Sequence, residues 1–272
     1  MEKKLIFFDI DGTLLNGKKE VPESTKTALR ELREAGHLRF VCTGRTKCMI
    51  PEQVRELEFD GFVFGGGTQV VYEGEDVTYQ ELSYPLILKS VEILKRYGFV
   101  YLFEGKDNIY YEKEAQKEER AYFSSFVKGF GSLAKIIEDY KDICASKITL
   151  VPPVGFTNEQ LEAFKLEMRD DFNVIVHEAE KNDILTDGLI ELVPEGTNKA
   201  TGIKDAITFL KREQKDTVGV GDSNNDLEML AYTKESICMG NGTSRAKELA
   251  TFQAKHIDDD GIYDAMKTLQ YI

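Results

Sequence analysis

Short apolar runs that stop abruptly at small or charged residues alternate, in the first third of the chain, with segments whose apolar positions recur every three or four residues. Leu5 to Phe8 is the first such run, and because no polar residue interrupts it the pattern predicts a strand covered on both faces. Pro22 and Glu23 then open a helical pattern that places Ala28, Leu29, Leu32 and Ala35 on one side, and Gly36 ends it. Leu38 to Cys42 reads as a second strand, followed by helical spacing at Met49, Ile50, Val54 and Leu57 and a third strand at Phe62 to Phe64. Strand, helix, strand, helix, strand predicts a right-handed doubly wound sheet. Gly65 to Gly67 loosen the chain, and two alternating runs, Gln69 to Tyr72 and Val77 to Gln80, flank Glu73-Gly74 as a hairpin would.

The pattern changes from about Pro85 to Asp187. It predicts a helix carrying Ile87, Val91 and Leu94 and closed by Gly98, then a hairpin from Phe99 to Glu104 and Asn108 to Glu112. A polar helix, a strand at Lys147 to Val151, a helix carrying Leu161, Phe164 and Met168, and a strand at Phe172 to His177 follow. Such an order describes an α+β layer of its own. The parallel pattern is expected to resume at Leu189 to Val193, with a helix from Lys199 through Ile203, Ala206, Ile207 and Leu210. Thr217 to Val220, a helix with Leu227, Met229 and Leu230, Ser236 to Met239 and an amphipathic segment from Ile262 to Leu269 complete it. The predicted fold is α/β: a doubly wound, mainly parallel, Rossmann-like core at 1–82 and 188–272, interrupted by an inserted α+β domain at 83–187.

Composition narrows the partners. The 272 residues carry a net charge of -13 with a sequence pI near 4.9, and no segment clusters Lys and Arg, so a nucleic-acid partner is not expected. No stretch reaches the roughly 18 apolar residues of a membrane span. MEKKLIFFDIDG lacks a small-residue cleavage site, and a cytoplasmic location is the expectation. Cys42, Cys48, Cys144 and Cys238 form no CxxC pair and have no His at ligand spacing, so reduced, mostly buried thiols are expected rather than zinc ligands. His37, His177 and His256 read as structural or exposed. Tyr101, Phe103, Tyr110 and Tyr111 read as core of the inserted domain, and Glu112 to Arg120 and Asp258 to Asp260 as solvated surface.

Chemistry enters at the strand ends. In an open α/β sheet ligands sit beyond the carboxyl ends of the strands. Four separated stretches place complementary polar residues there: Asp9 and Asp11; Thr43 and Gly44; Lys199; and Asp222, Asn225 and Asp226. Phosphoryl transfer needs a nucleophile, donors for the equatorial oxygens, a cation and a proton for the leaving oxygen, and each has a candidate among these residues. A carboxylate about 4 Å from an anionic oxygen costs roughly 4 kcal/mol at an effective dielectric near 20, so the set also demands a cation. Oxygen-only ligands suit magnesium. Asp9 and Asp11, two residues apart in extended backbone, can address one phosphate from the same side.

The motifs resemble those of the haloacid dehalogenase (HAD) superfamily: DIDGTL at 9–14, Thr43 in CTGR, Lys199 in GTNKATGI, and GDSNND at 221–226, in that order. The insertion resembles the α/β cap of the Cof-type, or IIB, subgroup. The resemblance implies a magnesium-dependent phosphatase of small phosphorylated metabolites, sugar or cofactor phosphates. Asp9 would be the nucleophile and Asp11 the general acid/base. Thr43, Gly44 and Lys199 would bind phosphate, with Mg2+ held by Asp9, Asp222 and the Asp11 carbonyl and supported by Asn225 and Asp226. Arg45 would face substrate, and a mobile cap would set specificity. Similar proteins often carry Asn-Gly-Ala where this chain has Gly66-Gly67-Thr68. A phosphomutase, or a non-turnover phosphate-responsive protein, remains the alternative. Neither oligomeric state nor the physiological substrate is legible at this level.

Overall fold

The computed structural model describes residues 2–113, 127–176 and 189–272. The described chain separates into two compact units, one of 1–45, 50–79 and 198–272 and the other of 46–49 and 80–197.

The first unit is built on β1 (Leu5–Phe8), α1 (Glu23–Glu34), β2 (Leu38–Cys42), α2 (Glu52–Arg55), β3 (Gly61–Phe64), β4 (Gln69–Tyr72) and β5 (Glu75–Tyr79). Its sheet is completed by elements from the end of the chain, as given below. Helix α2 is far shorter than the apolar spacing of Met49 to Leu57 suggests. Pro51 stands at its N-cap with φ -61° and ψ 143°, so a one-turn 3-10 helix at Lys47–Met49 and the four residues of α2 cannot fuse.

The second unit begins with α3 (Tyr84–Tyr97), which Gly98 ends at φ 76°, a left-handed position that glycine adopts without strain. It continues through β6 (Val100–Glu104), β7 (Ile109–Tyr111), β8 (Ala134–Ile136), β9 (Lys147–Val151), α4 (Asn158–Met168), β10 (Phe172–Val176) and β11 (Ile190–Pro194). Its six strands run in the order β10-β11-β9-β6-β7-β8, antiparallel except between β7 and β8. Here the structure corrects the sequence pattern. The Leu189 to Val193 run, expected to rejoin the parallel core, is β11, antiparallel to β10 and β9 in this second sheet. An apolar run reads alike in either sheet, and only its long-range partners tell them apart. Tyr101 and Phe103 pack with Leu94, Phe99, Ile148, Leu150, Phe164 and Phe172 in the main core of the unit. Tyr110 lies partly buried against it, while Tyr111 joins a smaller cluster with Val100 and Leu102. The predicted polar helix, His177 and most of the Glu112 to Arg120 run lie outside the described residues.

The chain returns to the first unit with α5 (Lys199–Phe209), β12 (Thr217–Gly221), α6 (Leu227–Tyr232), β13 (Glu235–Cys238), α7 (Ser244–Leu249), β14 (Phe252–Gln253) and α8 (Gly261–Thr268). The first unit's sheet has the order β14-β13-β12-β1-β2-β3-β4-β5, parallel from β14 to β3 and antiparallel beyond. Strand β1 is fully buried on both sides. Leu5 and Phe7 face Ile203, Ala206, Ile207 and Met229, whereas Ile6 and Phe8 face Ala28, Leu29, Leu32, Ile262 and Met266. Burying one such side chain contributes roughly 1.5–3 kcal/mol, so the helices on both faces fix the strand that carries Asp9. β1 lies between β12 and β2, with Phe8 level with Val220 and Val41, so the carboxyl ends of all three emerge together.

Candidate active site

The backbone leaves β1 at Asp9, whose amide donates to the Val220 carbonyl at 2.9 Å and keeps it in register with β12. Three residues on, the Gly12 amide donates to the Leu15 carbonyl at 2.8 Å, closing a tight turn. Gly12 sits at φ +87°, and a Cβ there would lie 2.3 Å from Asp222 Oδ2, so both conformation and space require glycine. That approach brings the first motif against the fourth. The Thr13 hydroxyl donates to Asp222 Oδ1 at 2.9 Å, and the Asn241 side-chain amide donates to the Gly12 carbonyl at 2.7 Å.

Asp9, Asp222 and Asp226 each present a carboxylate oxygen, and the three atoms lie within 4.8 Å of one another. Lys199 Nζ reaches Asp9 Oδ1 and Asp226 Oδ1, both at 2.6 Å, from a side chain only 3% exposed. Lys199 is placed by the cap of α5: Asn198 Oδ1 accepts from the Thr201 amide at 3.0 Å while the Thr201 hydroxyl accepts from the Asn198 amide at 3.0 Å. Asp226 Oδ2 accepts from the amides of Asp222 and Ser223, each at 2.9 Å, and so folds the loop after β12 back on itself. Asn225 accepts from the Ser223 hydroxyl at 2.8 Å in the same turn.

Strand β2 delivers the second motif alongside. Thr43 is buried, its amide bonded to Val63 and its hydroxyl accepting from the Arg45 amide at 3.2 Å. Cys42, one residue before it, lies 4.0 Å from the Lys199 carbonyl. Gly44 lies in the turn between Thr43 and Arg45. Arg45 does not point away from the first motif. Its Nε and Nη2 grip the two oxygens of Asp11 at 2.8 and 3.0 Å, and Lys19 Nζ adds a third contact at 3.1 Å. A cavity of about 670 Å³ in this unit is lined by Lys19, Lys26, Gln53 and Asp258 rather than by Asp9 or Asp222.

The two aspartates of the first motif therefore experience opposite fields. Burial, reinforced by Asp226 and Asp222, pushes the Asp9 carboxyl well up, although Lys199 pulls the other way. Asp222 is pushed up to about 7, chiefly by burial and then by Asp226. Burial also opposes ionisation of Asp11, but the hydrogen bonds and charges of Arg45 and Lys19 outweigh it and hold that carboxyl low. Lys199 is held well above the usual lysine range, because the pull of Asp226 and Asp9 exceeds the burial penalty. Three crowded carboxylates facing one ammonium leave surplus negative charge, and an all-oxygen donor set of that charge fits a hard divalent cation. The residues present are thus compatible with Mg2+.

Thr13, Lys19, Ser223 and Asn241 escaped the sequence reading. Thr13 and Ser223 lie inside DIDGTL and GDSNND, where the motif alone gives their hydroxyls no partner. Asn241, in Gly240-Asn241-Gly242, follows β13, another parallel strand whose carboxyl end could have flagged it.

Residues 6–266 match the haloacid dehalogenase-like hydrolase family. The chain is 31% identical over 270 residues to the "Putative phosphatase YkrA" of Bacillus subtilis, covering 99% of this chain and 98% of that one. It is 24% identical over 275 residues to the 5-amino-6-(5-phospho-D-ribitylamino)uracil phosphatase YitU of the same organism, covering 98% of each. Among solved structures, a hypothetical protein from Geobacillus kaustophilus superposes with a TM-score of 0.83 at 28% identity, over 99% of this chain and 100% of that one. The HAD subclass IIB sugar phosphatase BT4131 shares the fold, with a TM-score of 0.78 at 22% identity, over 99% and 100%. The chain belongs to the haloacid dehalogenase-like hydrolases, and its structural neighbours include a member of subclass IIB.

Proposed function

We propose that the protein is a magnesium-dependent phosphatase of small phosphorylated metabolites, acting through an aspartyl-phosphate on Asp9. The observation that carries the reading is the convergence of Asp9, Asp222 and Asp226 within 4.8 Å, with Lys199 bonded to two of them. Asp9, Asp222 and the Asp11 carbonyl would hold Mg2+, with Asp226 and Asn225 supporting them. Bound there, the ion would offset the repulsion between an incoming phosphate and the buried carboxylates.

Lys199 engages Oδ1 of Asp9, which leaves Oδ2 as the attacking atom. As Oδ2 bonds to phosphorus the ester P–O bond breaks, and the departing alkoxide takes its proton from Asp11, which has to be protonated in the substrate complex although Arg45 and Lys19 hold it low in the free protein. Water then attacks the aspartyl-phosphate, Asp11 takes up its proton, and the bond to Asp9 breaks to release phosphate. The Thr43 hydroxyl, which accepts from Arg45, keeps its own proton for an equatorial phosphoryl oxygen, and the Gly44 amide would donate beside it. Thr13 fixes Asp222 by donating its hydroxyl to Oδ1. The 80–197 unit takes the role of the cap that selects substrate. The phosphoribitylamino-uracil for which YitU is named and the sugar phosphates for which BT4131 is named are the first substrates to try. The proposed setting is the cytoplasm.

Steady-state phosphate release, measured over a phosphometabolite panel with magnesium present, tests the proposal. Turnover that vanishes with EDTA and returns with Mg2+ is expected. Undiminished release after exhaustive chelation would overturn the metal assignment.

A further inference from the structure

The phosphatase reading uses Asp11 but leaves open what aims its carboxylate. Asp11 stands past the strand end with its side chain 40% exposed. Arg45 supplies a planar fork on both oxygens, and Lys19 approaches Oδ1 as a point charge.

The placement of Lys19 is itself built. Its backbone lies at φ +60°, a left-handed conformation uncommon for a residue with a long side chain. Four hydrogen bonds enforce it. Asn16 Oδ1 accepts from the amides of Lys18 and Glu20, both at 3.0 Å, and the Asn16 carbonyl accepts from the Lys19 amide at 2.8 Å. From outside the turn, Gln53 Nε2 donates to the Lys19 carbonyl at 2.9 Å. An exposed ion pair adds little to the stability of a fold. A turn over-determined in this way is therefore not explained by the stability that the Lys19–Asp11 pair returns.

We infer that Lys19 is a positioning residue: the turn from Asn16 to Glu20 holds its ammonium group against Asp11, and together with Arg45 it fixes the bearing from which Asp11 exchanges protons with the leaving group and water. The inference rests on the phosphatase reading. It adds a residue outside the four motifs, on the loop between β1 and α1. Lys19 acts through Asp11 and touches neither phosphorus nor the carboxylate cluster.

The test compares Lys19→Met and Lys19→Arg with wild type in two assays: p-nitrophenyl phosphate, whose aryl oxide departs with little help, and the alkyl phosphate the wild-type enzyme turns over fastest. Lys19 is 61% exposed and borders a cavity, so removing the amine does not disturb a packed core. With the alkyl ester, Lys19→Met should lower kcat by about tenfold with KM within about twofold, because a misaligned Asp11 costs most where the leaving group is poor, a loss that outweighs the easier protonation of Asp11 once the Lys19 charge is gone. The loss on the aryl ester should be at least about threefold smaller, and Lys19→Arg should recover most of the alkyl activity. Equal losses on both esters, a raised KM at constant kcat, a Lys19→Arg as slow as Lys19→Met, or full alkyl activity in Lys19→Met would each overturn the assignment. Asp11→Asn separates the two levels: if that variant still turns over the alkyl ester, the acid/base reading fails, whatever Lys19 does.

Discussion

Lys199 holds its ammonium group 2.6 Å from each of two buried carboxylates, Asp9 and Asp226. Its removal leaves uncompensated charge in a dry setting, and losing one partner of a buried ion pair costs about 3–5 kcal/mol. Lys199→Met is expected to lower the urea unfolding free energy by about 3 kcal/mol in metal-free buffer, and to abolish turnover. A variant as stable as wild type would show that Lys199 does not neutralise Asp9 and Asp226. Asp9→Asn is expected to eliminate phosphate release while leaving the circular dichroism spectrum unchanged, since an amide fills the same volume but is no nucleophile. Retained release would remove Asp9 from that role. Gly12 makes the complementary point about space. With its Cβ position 2.3 Å from Asp222 Oδ2 and φ at +87°, Gly12→Ala must push the first and fourth motifs apart.

At the scale of elements, the site depends on how α5 begins. Asn198 and Thr201 close a capping box around Lys199, and the Asn198 carbonyl lies 2.2 Å from where a Cβ on Gly67 would stand. Gly202, one turn into the helix, is equally tight, its Cβ position 2.4 Å from Val63 Cγ1. The glycines at 65–67, which looked like a mere loosening of the chain, thus let α5 approach β3 closely enough for Lys199 to reach Asp9. Asn198→Ala is expected to cost about 1 kcal/mol of stability through the lost cap, and to lower kcat more than it changes KM. Unaltered kcat would mean that the cap does not position Lys199. This closeness also bears on Gly66-Gly67-Thr68. Gly67, at φ +108°, meets a spatial demand whatever its neighbour contacts.

For the whole molecule, His37 offers a pH-dependent term remote from the carboxylates. Buried between the chain termini, its Nδ1 accepts from the Lys4 amide at 3.0 Å, and Nε2 lies 3.2 Å from the Tyr271 carbonyl, to which it donates as the neutral ring. Burial, opposed by the Tyr271 carbonyl, holds its pKa below the ordinary value of 6.5. The unfolded chain therefore binds the proton first as pH falls. The stability His37 contributes is complete above about pH 6.5 and is lost as pH drops toward the lower folded-state pKa. Urea unfolding free energies at pH 7.5 and 5.5 should show a smaller loss for His37→Gln than for wild type; equal losses would place the acid sensitivity elsewhere.

The family was legible because its motifs fall in runs short enough to recognise, DIDGTL, CTGR and GDSNND, with residue types suited to phosphoryl transfer at strand ends. The strands and long helices were legible because burial imprints a period on the chain, as in β1, α1 and α8. Other features have no local imprint. Helix α2 shrank because one proline outweighed the apolar spacing around it, and β11 joined the second sheet because strand pairing is decided by residues far away in sequence. By itself the sequence determined which side chains are candidates for the proposed reaction and which faces must be covered. The tertiary structure alone decided that Asp226 shares Lys199 with Asp9, that Asp11 is gripped by Arg45 and Lys19, and that Asn241 holds Gly12. Such pairings join residues as many as 229 positions apart, and only the packed backbone sets distances of that kind.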